Sequence, residues 1–483
     1  MNFLINQTFL VFIFCFASTL AFGFFITRSK NKNKSINEWG LGGRSFGAWL
    51  TWFLLGGDFY TAYTIIAVPA LVYAVGAYGF FALPYTILVY PFIFVVMPLL
   101  WRYAAKHNHI TSADIVLHKY NSRGLEFVVA IITGIIAIMP YIALQVIGMS
   151  VIFKQLGLSG YSPIILSFLI LGLYTYSSGL KAPAFIAFIK DIMIYIVVIV
   201  AIAIIPIKLG GYENIFNLAS EAFASKNSAG LILDKSQYFA YATLALGSAL
   251  AGFMYPHTLT STLASKSENT IKINAIFLPA YTILLGLLAL LGYMAYATHV
   301  SVHDSNDIVP TLFQNIFPQW FVGFAFAAIV IGALIPASVM SIGASNLFTR
   351  NLWKIYINPN ISEQTETRVA KIGSLIVMLG ALLVIMLLPL KFALNLQLLG
   401  GICILQTLPA LVFGLFFKFY RGRALLIGWL AGVAISLYLI YTHDFAPLHQ
   451  LTIMGENYTF YIGLTALLIN SITATILSLV LRK

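Results

Sequence analysis

The chain has 483 residues, of which 60% are hydrophobic and 9% charged, against roughly 25% charged in a soluble globular domain. So few charges cannot cover a water-soluble protein of this size, which makes a lipid bilayer its main partner and excludes soluble, disordered, collagen-like and disulfide-scaffold classes. The formal net charge of +12 is scattered between apolar segments, a pattern that argues against nucleic acid as a partner; Cys15 and Cys403 lie inside apolar runs, so no disulfide framework or cysteine metal site is implied.

Apolar runs of 18 or more residues number about thirteen. Labelled helix 0 to helix 12, they fall near 3–26, 45–74, 79–101, 125–154, 162–178, 181–207, 236–256, 273–297, 321–347, 372–390, 392–417, 424–442 and 459–481. The predicted fold class is all-α, a polytopic membrane protein with one membrane domain over residues 1–483. The segment around 208–235 and the stretch "YINPNISEQTETR" read as loops.

Cytoplasmic loops carry the excess of Lys and Arg. An N-terminus outside places about 21 of the 27 basic residues inside, among them Arg44, Arg102, Lys106, Arg123, Arg350 and Arg421, and leaves Lys154, Lys208, Lys226, Lys235 and Lys391 outside. Helix 0 lacks a basic n-region and is followed at once by Arg28, the reverse of a cleaved signal peptide. The expectation is a plasma (inner) membrane protein with its C-terminus cytoplasmic.

Taken in chain order, helix 1 holds Asp58 in "TWFLLGGDFYTAYT". Paired Gly56 and Gly57 before a mid-span carboxylate suit an interrupted helix whose freed backbone lines a cavity; close helix packing with a hydrogen-bonded carboxylate is the alternative. Helix 5 holds Lys190 and Asp191, the former either functional or snorkelling to the cytoplasmic surface. Adjacent helical residues point about 100° apart, so each is expected to have its own partner. Helix 6 ends near Pro256 and His257, where proline breaks the ladder, giving two interrupted helices five apart, the pattern of a transporter site between inverted repeats. Helix 8 carries Ser338, Ser341 and Ser345 on one face, a tight helix contact or a set of hard oxygen ligands. No metalloprotease, nucleotide-binding or hydrolase motif occurs, so no enzyme and no cofactor is expected.

"GGRSFGAWLTWFLLGGD", "PYIALQ", "YTYSSGLKAPAFIAFIKD", "PHTLT", "VMS…NLFTRNLW" and "LPALVFGLFF" occur in this order. Together they resemble the sodium:solute symporter family over nearly the whole chain, and the bacterial monocarboxylate permeases within it. The resemblance implies a LeuT-like 5+5 inverted-repeat core (45–207 and 236–417), with one extra N-terminal helix and two extra C-terminal ones (424–481). It implies ion-driven symport of a small organic anion such as pyruvate, lactate or acetate. It further implies a sodium site at Gly56, Phe59, Ser338, Ser341 and Ile342. Ile342 stands where the family places a hydroxyl, so sodium is the family default, and a Lys190 ammonium in that space, with a proton as coupling ion, is the alternative. A sensing module that binds solute without transport is a further alternative, although no signalling domain or obligate protein partner is evident in the chain.

A monocarboxylate needs compensating charge, yet no arginine lies within the core spans. Exposed N–H groups at half-helix N-termini can supply it. Side chains expected to complete a substrate site are Tyr60, Thr61, Tyr63 and Thr64 of helix 1, Tyr141 and Gln145 of helix 3, Tyr255 of helix 6, and Gln397 and Gln406 of helix 10. Asp58, Lys190 and Asp191 are the expected coupling residues.

Overall fold

Apolar segments in hydrocarbon must satisfy their own backbone N–H and C=O groups, which makes helix the only open-chain solution. A computed structural model describes residues 6–27, 35–58, 61–224, 230–298, 300, 302–387 and 394–481. Arg28, Lys226, Lys391, Phe59 and Tyr60 lie outside the described residues. Among the described residues, eight helices are long and apolar enough to cross a bilayer. They are helix 2 (Ala77–Lys106), helix 3 (Arg123–Gln155), helix 5 (Lys181–Lys208), helix 7 (Glu268–Ala297), helix 8 (Gln319–Ile357), helix 9 (Glu363–Leu387), helix 11 (Gly422–Thr442) and helix 12 (Ile462–Val480). Helix 6 is a bent pair, Lys235–Gly252 and Pro256–Leu263 at 44°, and helix 10 another, Leu394–Leu405 and Pro409–Phe416 at 45°. Counting each bent pair as one span, up to ten helices among the described residues qualify by length and apolarity. Helices 0, 1 and 4 are shorter apolar pieces: Gln7–Gly23, Ala48–Gly57 with Tyr63–Val75, and Ser162–Ser177.

Each interruption has a local cause. The second piece of helix 1 opens with a wide turn over Tyr63–Ala67, in which the Val68 N–H reaches the Tyr63 carbonyl, immediately before Pro69; proline has no N–H to continue the regular ladder. Tyr255, preceding Pro256, is extended (φ −57°, ψ 141°), as proline sterics demand of the residue before it. Helix 10 bends ahead of Pro409. Helix 6 therefore continues past residue 256, and His257 is an interior residue, only 3% exposed, rather than the end of a span.

Other expectations change at the loops. Helix 8 runs on to Ile357 and helix 9 starts at Glu363, so only residues 358–362 of the "YINPNISEQTETR" stretch are loop. Residues Tyr212–Ala224 form a helix within the long connection after helix 5. Helix 12 begins at Ile462 because β1 (Leu448–Ile453) and β2 (Glu456–Tyr461) form an antiparallel hairpin before it. Met454 and Gly455 both have positive φ, the backbone that a two-residue hairpin turn needs.

Helix 8 is the core of the molecule, with 94% of its apolar window buried against 33% for helix 9. An all-round apolar helix is stable only when enclosed, and helix 8 is enclosed by helices 0, 3, 5 and 9 and by Pro256–Leu263. The first piece of helix 1 packs on helices 5 and 7, the second on helix 7. Helices 11 and 12 pair with each other at the side of helix 10.

Candidate substrate and ion site

The first piece of helix 1 ends at Gly57, with Asp58 as its C-cap. Two glycines there permit two close approaches. A Cβ at Gly56 would stand 2.1 Å from the Tyr281 ring, and a Cβ at Gly57 would stand 2.8 Å from the Lys190 Nζ. The carbonyl freed at Gly57 accepts a 2.7 Å hydrogen bond from Lys190 Nζ. The same ammonium lies 2.9 Å from Asp191 Oδ1, and the Tyr281 hydroxyl donates to Asp191 Oδ2 at 2.7 Å. Lys190 and Asp191 are both fully buried.

This decides between two alternatives for Lys190 and corrects one expectation. Lys190 does not snorkel, and the neighbouring Lys190 and Asp191 do share an interaction. Their Cα–Cβ bonds diverge, but the four-carbon lysine stem is long enough to fold back over the adjacent carboxylate. Asp58 lies within the electrostatic field of both, and among the described residues its Oδ2 has no hydrogen-bond partner. Asp58, Lys190 and Asp191 thus form one buried cluster of two carboxylates and one ammonium.

Beyond the break, Gln145 Oε1 accepts from the Ala62 N–H at 3.0 Å, satisfying one donor that the interruption frees. Gly148, one turn along helix 3, lets this contact form, since its Cβ would fall 2.2 Å from that of Ala62. The Thr61 hydroxyl accepts from the Tyr63 N–H at 3.0 Å and hydrogen-bonds the Tyr141 phenol. Thr64 is buried in the same turn.

The second break is aromatic. Tyr141 lies 5.4 Å from Tyr255 and 5.6 Å from His257 between ring centroids, and Tyr255 lies 5.3 Å from His257. Tyr255 donates to the Gln397 carbonyl at 2.9 Å, and Gln397 Nε2 is 3.4 Å from the Tyr255 oxygen. Tyr63 stacks edge-on to Tyr85 at 6.4 Å. Among the described residues the Tyr63 hydroxyl, Gln145 Nε2, Gln397 Oε1 and His257 Nδ1 are buried without a hydrogen-bond partner. Buried polar atoms of this kind cost free energy until something pairs with them.

Tyr141 and Thr61 link the two breaks, so helices 1, 3, 6 and 10 converge on one region. Gln406 is not part of it. Its Nε2 donates to the carbonyls of Ile402 and Gly463, and its Oε1 faces Asn470 Nδ2. That side chain ties helix 10 to helix 12. On helix 8, Val339 shares a buried apolar cluster with Leu54 of helix 1 and Ala184 of helix 5. Ser341 donates to its own helix at Ala337, whereas the Ser338 hydroxyl is buried without a partner among the described residues. Ile342 is fully buried and offers no side-chain oxygen. Phe59 and Tyr60, expected at the ion and substrate sites, lie outside the described residues.

Sequence reasoning missed the Gly57 carbonyl as an acceptor, the Tyr281 hydroxyl, and Tyr85. The glycine pair could have pointed to Gly57; nothing local separates Tyr281 or Tyr85 from the other tyrosines among the 26 in the chain.

Comparison with known proteins bears on the family and the fold. The chain is 60% identical over 480 residues to a monocarboxylate transport permease protein of Rhizobium johnstonii, covering 99% of this chain and 98% of that one. It is 36% identical over 440 residues to the uncharacterized symporter YodF of Bacillus subtilis, covering 88% and 86%. A Na+-coupled sialic acid symporter, solved in a substrate-bound outward-open state, shares the fold with a TM-score of 0.80 at 15% identity over 98% of both chains. The sequence profile of the sodium:solute symporter family matches residues 39–435, and the chain belongs to that family.

Proposed function

We propose that this protein is a secondary active transporter that carries a short monocarboxylate, such as pyruvate, lactate or acetate, into the cell by symport with a cation. The observation that carries the reading is the meeting of two interrupted helices around unsatisfied buried polar atoms. Pro256–Leu263 begins at this point, and a helix N-terminus favours an anion through its free N–H groups and dipole. Gln145 Nε2 is a further donor without a partner among the described residues. Among the described residues the one charged donor nearby, Lys190, is held by Gly57 and Asp191, so backbone and neutral groups are left to receive the carboxylate. The name of the 60% identical relative supports the same solute class.

In this reading Thr61, Tyr63, Thr64, Tyr141, Gln145, Tyr255 and Gln397, with Tyr60, line the solute site, and Asp58, Lys190 and Asp191 couple it to the cation. Gly56, Phe59, Ser338 and Ser341 belong to the family's ion position, for which sodium is the default. The basic loops face the cytoplasm, the N-terminus lies outside, and the membrane is the cell's inner membrane. Uptake of labelled pyruvate, lactate and acetate into proteoliposomes, with sodium and proton gradients imposed separately, tests the function. Accumulation driven by either gradient is expected; no stimulated uptake of any short carboxylate would refute it.

A further inference from the structure

The helix 1 break is already occupied by a cation that belongs to the chain. Lys190 Nζ sits on the carbonyl of Gly57 at 2.7 Å and on Asp191 Oδ1 at 2.9 Å, with no exposure of the side chain. A helix C-terminal carbonyl together with a carboxylate is the kind of oxygen set that binds a hard monovalent ion at a discontinuous membrane helix. Tyr281 fixes the other oxygen of Asp191, and Gly57 has no side chain to keep the ammonium away from its carbonyl. On helix 8, the fully buried Ile342 offers no side-chain oxygen.

We propose that the Lys190 ammonium is a tethered cation that takes the place of sodium at the helix 1 break, so that the exchanging ion is a proton carried by Asp58. The proposal rests on the symport reading above and names its coupling ion. Two carboxylates and one ammonium leave one negative charge in a water-poor interior, and a proton on Asp58 Oδ2 cancels it without needing further ligands. On loading, an O–H bond forms at Asp58 with a proton from the outer aqueous phase; after the transporter turns inward that bond breaks and the proton leaves to the cytoplasmic phase. A sodium ion bound about 4 Å from the ammonium would be weakened on the order of a thousandfold by like-charge repulsion in a partly shielded interior.

The groups facing the Lys190–Asp191 pair are consistent with a single exchangeable proton. Asp58 comes from helix 1, Tyr281 from helix 7, and Tyr195 from helix 5 itself, with its ring 6.0 Å from that of Tyr281. Helix 8 brings no acid or base between Gln319 and Leu347, helix 0 only Cys15 between Gln7 and Thr27, and helix 4 only Tyr174 and Tyr176.

The test is thermal unfolding of the purified full chain in detergent, with sodium chloride against choline chloride at constant ionic strength. The parent protein should show no sodium-specific shift, and Lys190→Ala, which vacates the carbonyl, should acquire a saturable one. A saturable sodium-specific stabilisation of the parent would overturn the proposal, whether or not the variant folds. In proteoliposomes, uptake should follow a proton gradient with sodium absent, and a strict sodium requirement would overturn it equally. Failure to transport any short carboxylate would remove the symport reading while the unfolding experiment still decides whether sodium binds.

Discussion

The two interrupted helices have different surroundings. At helix 1 the break is ionic: Asp58, Lys190 and Asp191 lie about the buried Gly57 carbonyl, which accepts from Lys190. At helix 6 it is neutral and aromatic: Tyr255 and His257 pack on Tyr141, and Gln397 braces the tyrosine. The same device, a helix stopped in mid-membrane, exposes carbonyls in one place and N–H groups in the other. Cation and anion can then sit side by side without any arginine, because each half-helix end supplies charge of the sign its neighbour lacks.

The contrast can be broken most severely at the ionic end. Asp58→Asn leaves the Lys190–Asp191 pair matched in charge but removes the carboxyl proposed to take the exchanging proton. Gradient-driven uptake should be abolished, while exchange of labelled for unlabelled solute persists. Retained accumulation at the parental rate would remove Asp58 from coupling.

Next in size is the pair of glycines. Gly56→Ala drives a methyl into the buried Tyr281 ring, and overpacking of this kind costs about 1–3 kcal/mol, so a lower melting temperature and reduced yield are expected. Gly57→Ala meets the tip of a flexible lysine instead; it should fold better than Gly56→Ala while losing more transport per folded molecule. Equal folding and equal transport of the two variants would show that the glycines have one shared packing role.

Gln145→Leu sharpens the boundary between the two breaks. It leaves the Ala62 N–H without its acceptor, a penalty of about 1–3 kcal/mol, and should raise the KM for the solute roughly tenfold, measured as initial rate against concentration. An unchanged KM would confine Gln145 to a structural cap. The smallest effect is expected at Gln406→Leu, which cuts ties between helices 10 and 12; the KM should stay within about twofold, since such interhelical hydrogen bonds in membranes average about 0.6 kcal/mol. A large change in KM there would place the helix 10–12 contact within the solute pathway.

Much of this was legible before any coordinates. Gly56, Gly57 and Asp58 pointed to the first interruption, because a mid-span carboxylate beside paired glycines suits a broken helix, with close helix packing as the alternative. Pro256 announced the second, although its chain continuation did not: a polar run, "PHTLTSTLASKSE", looks like an exit from the membrane until Pro256–Leu263 is seen packed against helix 8. The partners of Lys190 were illegible for a similar reason. Periodicity gives the direction of a Cα–Cβ bond, not the end of a long side chain, and the Gly57 carbonyl that receives the ammonium is a backbone atom 133 residues away. Gln406 and Gln397 carry the same side chain on the same helix, and only packing separates the one facing helix 12 from the one facing Tyr255.

The sequence by itself determined the solvent, the helical class, the family and the places where two spans must stop, since these depend on apolar run length, proline, glycine and the order of short motifs. Tertiary structure decided which charges share a site, where His257 lies and which glutamine reaches the centre. Those depend on distances between segments far apart in the chain, and in a membrane interior a buried polar group is defined by what it pairs with.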